Sequence, residues 1–289
     1  MIYPFAMMIE KMLIGIVALM MAFNAHACIG DRASSDPVYS VYVVPQLPAT
    51  QSFTHWARVL EQIGKIAGLC FDLYVPPTIP AFESKFLDGV PDFAFMNPYH
   101  AVMAHEAQGY IPLIADSKIK LEGIVLIKAD STLTDLKQLN GSKLAFPSPN
   151  AFAATLLIRS LLAKDGIEIE PIYVRSHNNV YRSVIIGDVL AGGGVNNTFT
   201  REPPEIKNGL KILYRTPKFM PHPLSANPKV PEVIREKVIK AFLFLAETDA
   251  GKKMLDEIQI PVPVRVNYQA DYLPLEKLGV KKFVVHGSN

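Results

Sequence analysis

The sequence predicts an α/β protein folded as two lobes that are joined by a pair of hinge crossovers. Three observations carry this expectation. After about residue 36, β-branched and aromatic runs alternate with stretches of helical period, the pattern of sheets with helical crossovers. The length of 289 residues corresponds to about two domains. The alternation also changes register near Glu122 and is interrupted again by a connector at residues 217–223, so the chain leaves one block and later returns to it. The expected lobes are residues 36–126 together with 216–289, and residues 127–215.

The first element is an address. Residues 12–25 (MLIGIVALMMAFNA) form an apolar run behind Lys11, and Ala25-His26-Ala27 follows as a small-x-small site. Residues 1–27 therefore read as a secretory signal peptide. An apolar run of about 14 residues falls short of the roughly 20 that span a bilayer. Export makes a Cys28–Cys70 disulfide feasible. Two further readings stand beside it: Cys28 as the site of a lipid anchor, and Cys70 as a small buried residue, the favoured one.

Residues 38–44 (VYSVYVV) form a strand ended by Pro45, and Trp56, Val59, Leu60, Ile63 and Ile66 then recur at helical spacing. Residues 69–75 form a second strand, 79–87 a short helix and 92–96 (DFAFM) a buried strand, with Pro98 opening a helix to Gln108. In the second block, residues 123–128 and 143–146 are strands and 151–164 a long helix. Residues 171–175, 190–195 and 210–215 are further strands. Pro231 then opens a helix whose apolar stripe is Val233, Ile234, Val238, Ala241, Phe242 and Leu245.

Several function classes are excluded by composition. Lys+Arg 29 against Asp+Glu 27 leaves a net charge of +2 with no basic run, so the sequence argues against nucleic-acid binding. Two cysteines do not make a zinc ribbon. No Walker loop, G-x-S-x-G, H-E-x-x-H or C-x-x-C is present, and no enzyme or cofactor is expected.

The chemistry lies at strand-to-helix junctions, where ligands settle in α/β sheets. At 144–155 (LAFPSPNAFAAT) a strand runs into a helix, with Ser148 as a candidate N-cap and free amides that suit an anion. Ser176-His177-Asn178-Asn179 is a second junction, in which His177 offers a hydrogen-bond donor. Met96-Asn97-Pro98-Tyr99-His100 is a third, and Thr78 after Pro76-Pro77 a fourth. The glycines of 190–197 (LAGGGVNN) let a backbone approach closely or turn. The candidate ligand-lining residues are therefore Thr78, Met96, Asn97, Tyr99, Ser148, Asn150, Phe152, His177 and Asn196. A competing reading gathers Met96, His100 and His177 into a soft-metal or redox site of an accessory protein.

Val44-Pro45-Gln46, the DFAFMNP of residues 92–98, the DSTLTDLKQLNG of 130–141, residues 146–150, Ser176-His177 and residues 210–223 together resemble the PhnD-like phosphate/phosphite/phosphonate-binding family, periplasmic components of ABC transporters. The resemblance implies a type II periplasmic binding protein fold. It also implies a periplasmic, monomeric chain that takes a small ligand and delivers it to an ABC permease or a membrane sensor. Against the family's hydroxyl-rich helix start, this sequence reads Ala151-Phe152-Ala153. Family tyrosines fall at Thr78 and Met96, and acidic residues near Asn196 are replaced. His177 and the backbone of the helix start are what the resemblance leaves of the oxyanion cage.

Overall fold

The computed structural model describes residues 28–31 and 37–285; the expected signal peptide, residues 1–27, lies outside them. The chain runs β1 (Ile29–Gly30), β2 (Val38–Val43), α1 (Ala49–Ala67), β3 (Cys70–Tyr74), α2 (Ile79–Leu87), β4 (Phe93–Phe95), α3 (Pro98–Gln108) and β5 (Ile111–Asp116) through its first block. The second block holds β6 (Leu121–Lys128), β7 (Ser142–Phe146), a π-helical turn (Phe152–Leu156) continued as α4 (Leu157–Lys164), β8 (Ile169–Tyr173), α5 (His177–Ile186), β9 (Ala191–Val195), α6 (Asn196–Thr200), α7 (Pro204–Asn208) and β10 (Leu210–Phe219). The return supplies β11 (Leu224–Ala226), α8 (Glu232–Leu245), α9 (Asp249–Glu257) and β12 (Pro263–Arg265).

These strands form two sheets, in the orders β1-β3-β2-β4-β11-β5-β12 and β10-β6-β9-β7-β8. Both are mixed. The nucleus of each is parallel, β3-β2-β4 in one and β8-β7-β9 in the other, as βαβ units require. The strands that carry the chain between the lobes are antiparallel: β10 lies against β6, and β11 lies between β4 and β5. The expected lobe boundaries at 126/127 and 215/216 fall inside β6 and β10, which pair from Leu210↔Lys128 to Phe219↔Leu121. The crossings between sheets lie instead at residues 117–120 and 220–223.

Amphipathic helices cover the sheets where their apolar spacing places them. In α1, Trp56, Val59, Leu60 and Ile63 are buried, and Gly68 closes the helix in the left-handed conformation. In α8, Val233 proves exposed and Ile239 takes a place on the buried face. The three glycines of 192–194 are neither a turn nor a strand end but the middle of the fully buried β9. A Cβ on Gly193 would stand 2.0 Å from the Ala154 carbonyl, and one on Gly123 would stand 2.3 Å from that of Ala153. Glycine at these two positions lets the π-helical turn lie directly on the sheet.

Cys28 and Cys70 are joined by a disulfide, Cα–Cα 5.5 Å, across 42 residues of sequence. This overturns the expectation of a free, buried Cys70. The bond fixes β1 to β3, where Gly30 pairs with Cys70. Closing a loop of that size contributes about 2–4 kcal/mol, mostly by restricting the unfolded chain. Cys70→Ser is therefore expected to lower unfolding free energy by about that amount in urea titrations, with reductant producing the same loss in the wild type and none in the variant.

Candidate functional site

The two sheets face each other across a cleft, and an inner cavity lies where they meet. Its walls are Val44, Pro45, Gln46, Ile79 and Asn97 from the first lobe, and Leu121, Pro147, the 151–154 turn, Arg175, Ser176, His177 and Val195 from the second. His222, in the second crossing, closes the back. The space left is about 30 Å³, room for one or two waters. Two larger chambers open from the same cleft. One, about 490 Å³, is walled by Pro45, Pro77, Pro80, Pro147, Pro149 and Tyr173, with Thr78 and Ser148 on its lining. The other, about 590 Å³, is the more polar of the two and carries Gln46, Gln51, His177, Asn178, Arg201 and Glu202.

The helix start that faces the inner cavity differs from the sequence expectation. Ser148 is not its N-cap: its carbonyl accepts from Ala151 N (3.3 Å) and from Thr155 Oγ1 (2.8 Å), closing a turn over 148–151. The helix then begins at Phe152 as a π-helical turn whose first bonds, from Thr155 and Leu156, both end on the Ala151 carbonyl. The amides of Phe152, Ala153 and Ala154 precede these bonds, and no earlier helical carbonyl stands ready for them. π-Turns of this kind concentrate at functional sites. The Ser148 hydroxyl is buried and finds no hydrogen-bond partner among the described residues.

His177 opens α5 behind Ser176, whose hydroxyl caps the helix by accepting from Asn179 N at 3.2 Å. The His177 ring forms part of the cleft wall, and its Nδ1 is sealed from solvent without a partner. His222 Nε2 stands 2.7 Å from the Gln46 side-chain amide, while its Nδ1 is likewise buried and unpartnered. Burial lowers the His177 pKa to about 4. Burial, with the charges of His100 and His177 adding to it, lowers that of His222 to about 3. Both rings are neutral near pH 7, each presenting one N–H as a donor.

Asn97, Phe152 and His177 of the expected set meet at the inner cavity, and Thr78 and Ser148 line the neighbouring chamber. The other four lie elsewhere. Met96 is fully buried in the first lobe, where its amide bonds the Pro223 carbonyl. Tyr99 stacks on Phe152 at 6.3 Å, and burial pushes its hydroxyl up to about 12. Asn196 braces the first crossing, accepting from Glu122 N and donating to the Lys120 carbonyl.

Asn150 belongs to a buried polar cluster beside the cleft. Its amide donates to Glu83 Oε2 (2.9 Å) and to the Val285 carbonyl (2.8 Å), and its oxygen accepts from Val285 N (2.9 Å). His100 Nε2 lies 2.9 Å from Glu83 Oε1, and Asn97 Nδ2 reaches the Asn150 carbonyl at 3.3 Å. Both lobes and the last described residues are thereby linked, and the cluster satisfies a buried carboxylate that would otherwise be costly. This engagement contradicts the metal reading. His100 is committed to Glu83 between the Phe82 and Phe86 rings, and no group of three or more His, Cys, Asp or Glu among the described residues is placed to hold a metal.

Sequence reasoning missed Gln46, Arg175 and His222 as lining residues. Gln46 and His222 lie in segments that carried the family resemblance, so their position was signalled although their role was not. Arg175 carried no signal. It is held at φ 75°, a left-handed conformation rare for a residue with a side chain, and sits beside the capped start of α5. Such residues cost about 1–3 kcal/mol and gather at functional sites.

The arrangement is that of a two-lobed periplasmic binding protein, with a cleft at the crossing of two α/β lobes. The chain belongs to the family described as the ABC transporter, phosphonate, periplasmic substrate-binding protein, whose model matches residues 41–272. Among solved structures it is similar to a binding protein component of an ABC phosphonate transporter from Pseudomonas aeruginosa, at 15% identity over 86% of this chain and 88% of that one, with a TM-score of 0.73. It is also similar to PhnD1 of Prochlorococcus marinus in complex with methylphosphonate (16% identity, 85% and 98% coverage, TM-score 0.74). A Xanthomonas citri protein bound to ATP is a further likeness (16%, 86% and 98%, TM-score 0.70). No curated protein matches the chain by sequence.

The two depressed imidazoles give the site a pH signature. Unfolded, each takes up a proton as the pH falls through about 6.5; folded, they resist until about 4 and about 3. In that interval the unfolded chain binds more protons, so stability is complete above about 6.5 and declines as the pH falls toward 3. Urea midpoints measured from pH 7.5 to 3.5 are expected to show this decline, and His222→Gln to make it shallower.

Proposed function

We propose that the protein is an exported solute receptor that captures a small oxyanion, of the phosphonate or phosphate class, between its lobes and delivers it to an ABC permease. The observation that supports this most is the inner cavity, where the 152–154 turn, His177 and His222 meet and where the turn's first three amides precede its own helical bonds. Helix-start amides with neutral imidazole donors suit an anion's oxygens. The family's transport role and the methylphosphonate bound to the Prochlorococcus protein point the same way. In this reading the chain acts as a monomer and binds without transforming its ligand, with no cofactor and no nucleic-acid partner; a membrane sensor is the alternative recipient.

The periplasm is the family's compartment, and a Cys28–Cys70 disulfide suits its oxidising chemistry. The Cys28 sulfur, bonded to Cys70, is not available for a thioether lipid. Mass spectrometry of the protein from its native membranes and periplasm is expected to find residue 28 unlipidated; a diacylglyceryl adduct there would contradict this reading.

Calorimetric titration with methylphosphonate and inorganic phosphate tests the capture itself. A hydrogen bond from His177 to a charged oxygen is worth about 1.5–3 kcal/mol. His177→Ala is therefore expected to weaken binding by about tenfold or more. Wild-type affinity in that variant would remove His177 from the site.

A further inference from the structure

The inner cavity holds one or two waters, whereas the chamber beside it, about 490 Å³, has the volume of an ordinary small-molecule site. That chamber is walled by five prolines and Tyr173, together with Ile79 and Pro-flanked Thr78, and no acidic side chain among the described residues lines it. Proline rings present rigid apolar faces that lose no rotamer entropy when covered. One cation borders the space: Arg175, which also lines the inner cavity and the polar chamber, so a ligand in any of the three meets it. Its guanidinium has no hydrogen-bond or ion-pair partner among the described residues, and its backbone is held in the left-handed region. The second polar group is the Ser148 hydroxyl, over nine-tenths buried, unpartnered, and on the same chamber wall.

From this geometry we infer that the site selects an oxyanion bearing an apolar, aryl-sized substituent, with Arg175 as the specificity-determining counter-charge and the proline–Tyr173 chamber as the substituent's seat. The inference rests on the oxyanion reading above and narrows it. A guanidinium pairs with a tetrahedral or planar oxyanion through a fork of donors that lysine cannot reproduce. Ser148 supplies a hydroxyl donor, and the aryl group is left against prolines and the Tyr173 ring, with no carboxylate to welcome an ammonium. The polar chamber offers the contrary choice, because Glu202 lies there, but its carboxylate already accepts two bonds from the Asn178 amide at 2.8 Å.

Calorimetric titration of the full mature chain with phenylphosphonate, methylphosphonate and 2-aminoethylphosphonate tests this. The expected result is phenylphosphonate at least tenfold tighter than either of the others. Arg175→Gln and Arg175→Gly should each lose tenfold or more of that affinity. The glycine variant also relieves the left-handed backbone, so an equal loss in both assigns the effect to charge rather than conformation. Arg175→Lys should recover part of it. Equal affinity for the three compounds, a preference for the aminoethyl compound, or wild-type binding by Arg175→Gly would overturn the inference while leaving oxyanion capture intact. Failure of all three compounds to bind would overturn both.

Discussion

The molecule depends on one constraint: the chain passes between its two sheets twice, at the same place. β6 enters the second lobe and β10 leaves it, and the two pair antiparallel from Leu121↔Phe219 to Lys128↔Leu210. The crossings at 117–120 and 220–223 therefore emerge side by side. Two short segments along one line join the lobes, while each lobe keeps its own parallel nucleus and helices. Everything that lines the cleft is placed by this arrangement. β2 ends at Val43 and hands on to Gln46, the end of β7 leads to the 151–154 turn, and His222 sits in a crossing itself.

Across that gap the lobes are joined by apolar contact and by a small buried polar cluster. Phe152 lies between Tyr99 at 6.3 Å and Phe219 at 5.6 Å, so an aromatic ring occupies a position where a hydroxyl would offer an anion a donor. Asn97, Glu83, His100 and Asn150 exchange bonds behind it and hold the tail at Val285. The consequence for binding is a division of labour within the cleft. The tight inner space has room for one or two waters, while the larger volume lies outward, beside Arg175. Glycines at 123 and 193 make this possible by letting the turn rest on the sheet without a Cβ between them.

Much of the fold was legible because its information is local. The period of α1, the proline that opens α3 and the β-branched runs of β2 and β6 each fix an element without reference to the rest of the chain. β5 was not legible. Pro112 interrupts its pattern, and the strand is accepted only because β11 shifts register opposite it. β11 was hidden for a related reason: three residues next to a proline-rich connector acquire strand geometry from neighbours on both sides. Within the site, strand ends pointed to Asn97, Phe152 and His177, and these three line the inner cavity, since topology brings the strand ends together there. Met96 and Asn150 could not be sorted the same way. Whether a residue at a strand end faces the gap, the core or a distant tail is decided by packing across hundreds of positions. The left-handed Arg175 is likewise a product of how β8 is joined to the start of α5.

The central claim is that a small oxyanion is held at the crossing of the lobes by the 152–154 amides, the half-buried His177 and the buried His222. A crystal structure of the protein with methylphosphonate tests it most directly. The predicted result is the phosphonate in the inner cavity, enlarged by rotation about the paired crossings, with its oxygens within hydrogen-bond distance of those amides and of His177. Phosphonate density on the outer surface only, with the inner cavity still as small as about 30 Å³, would contradict the account.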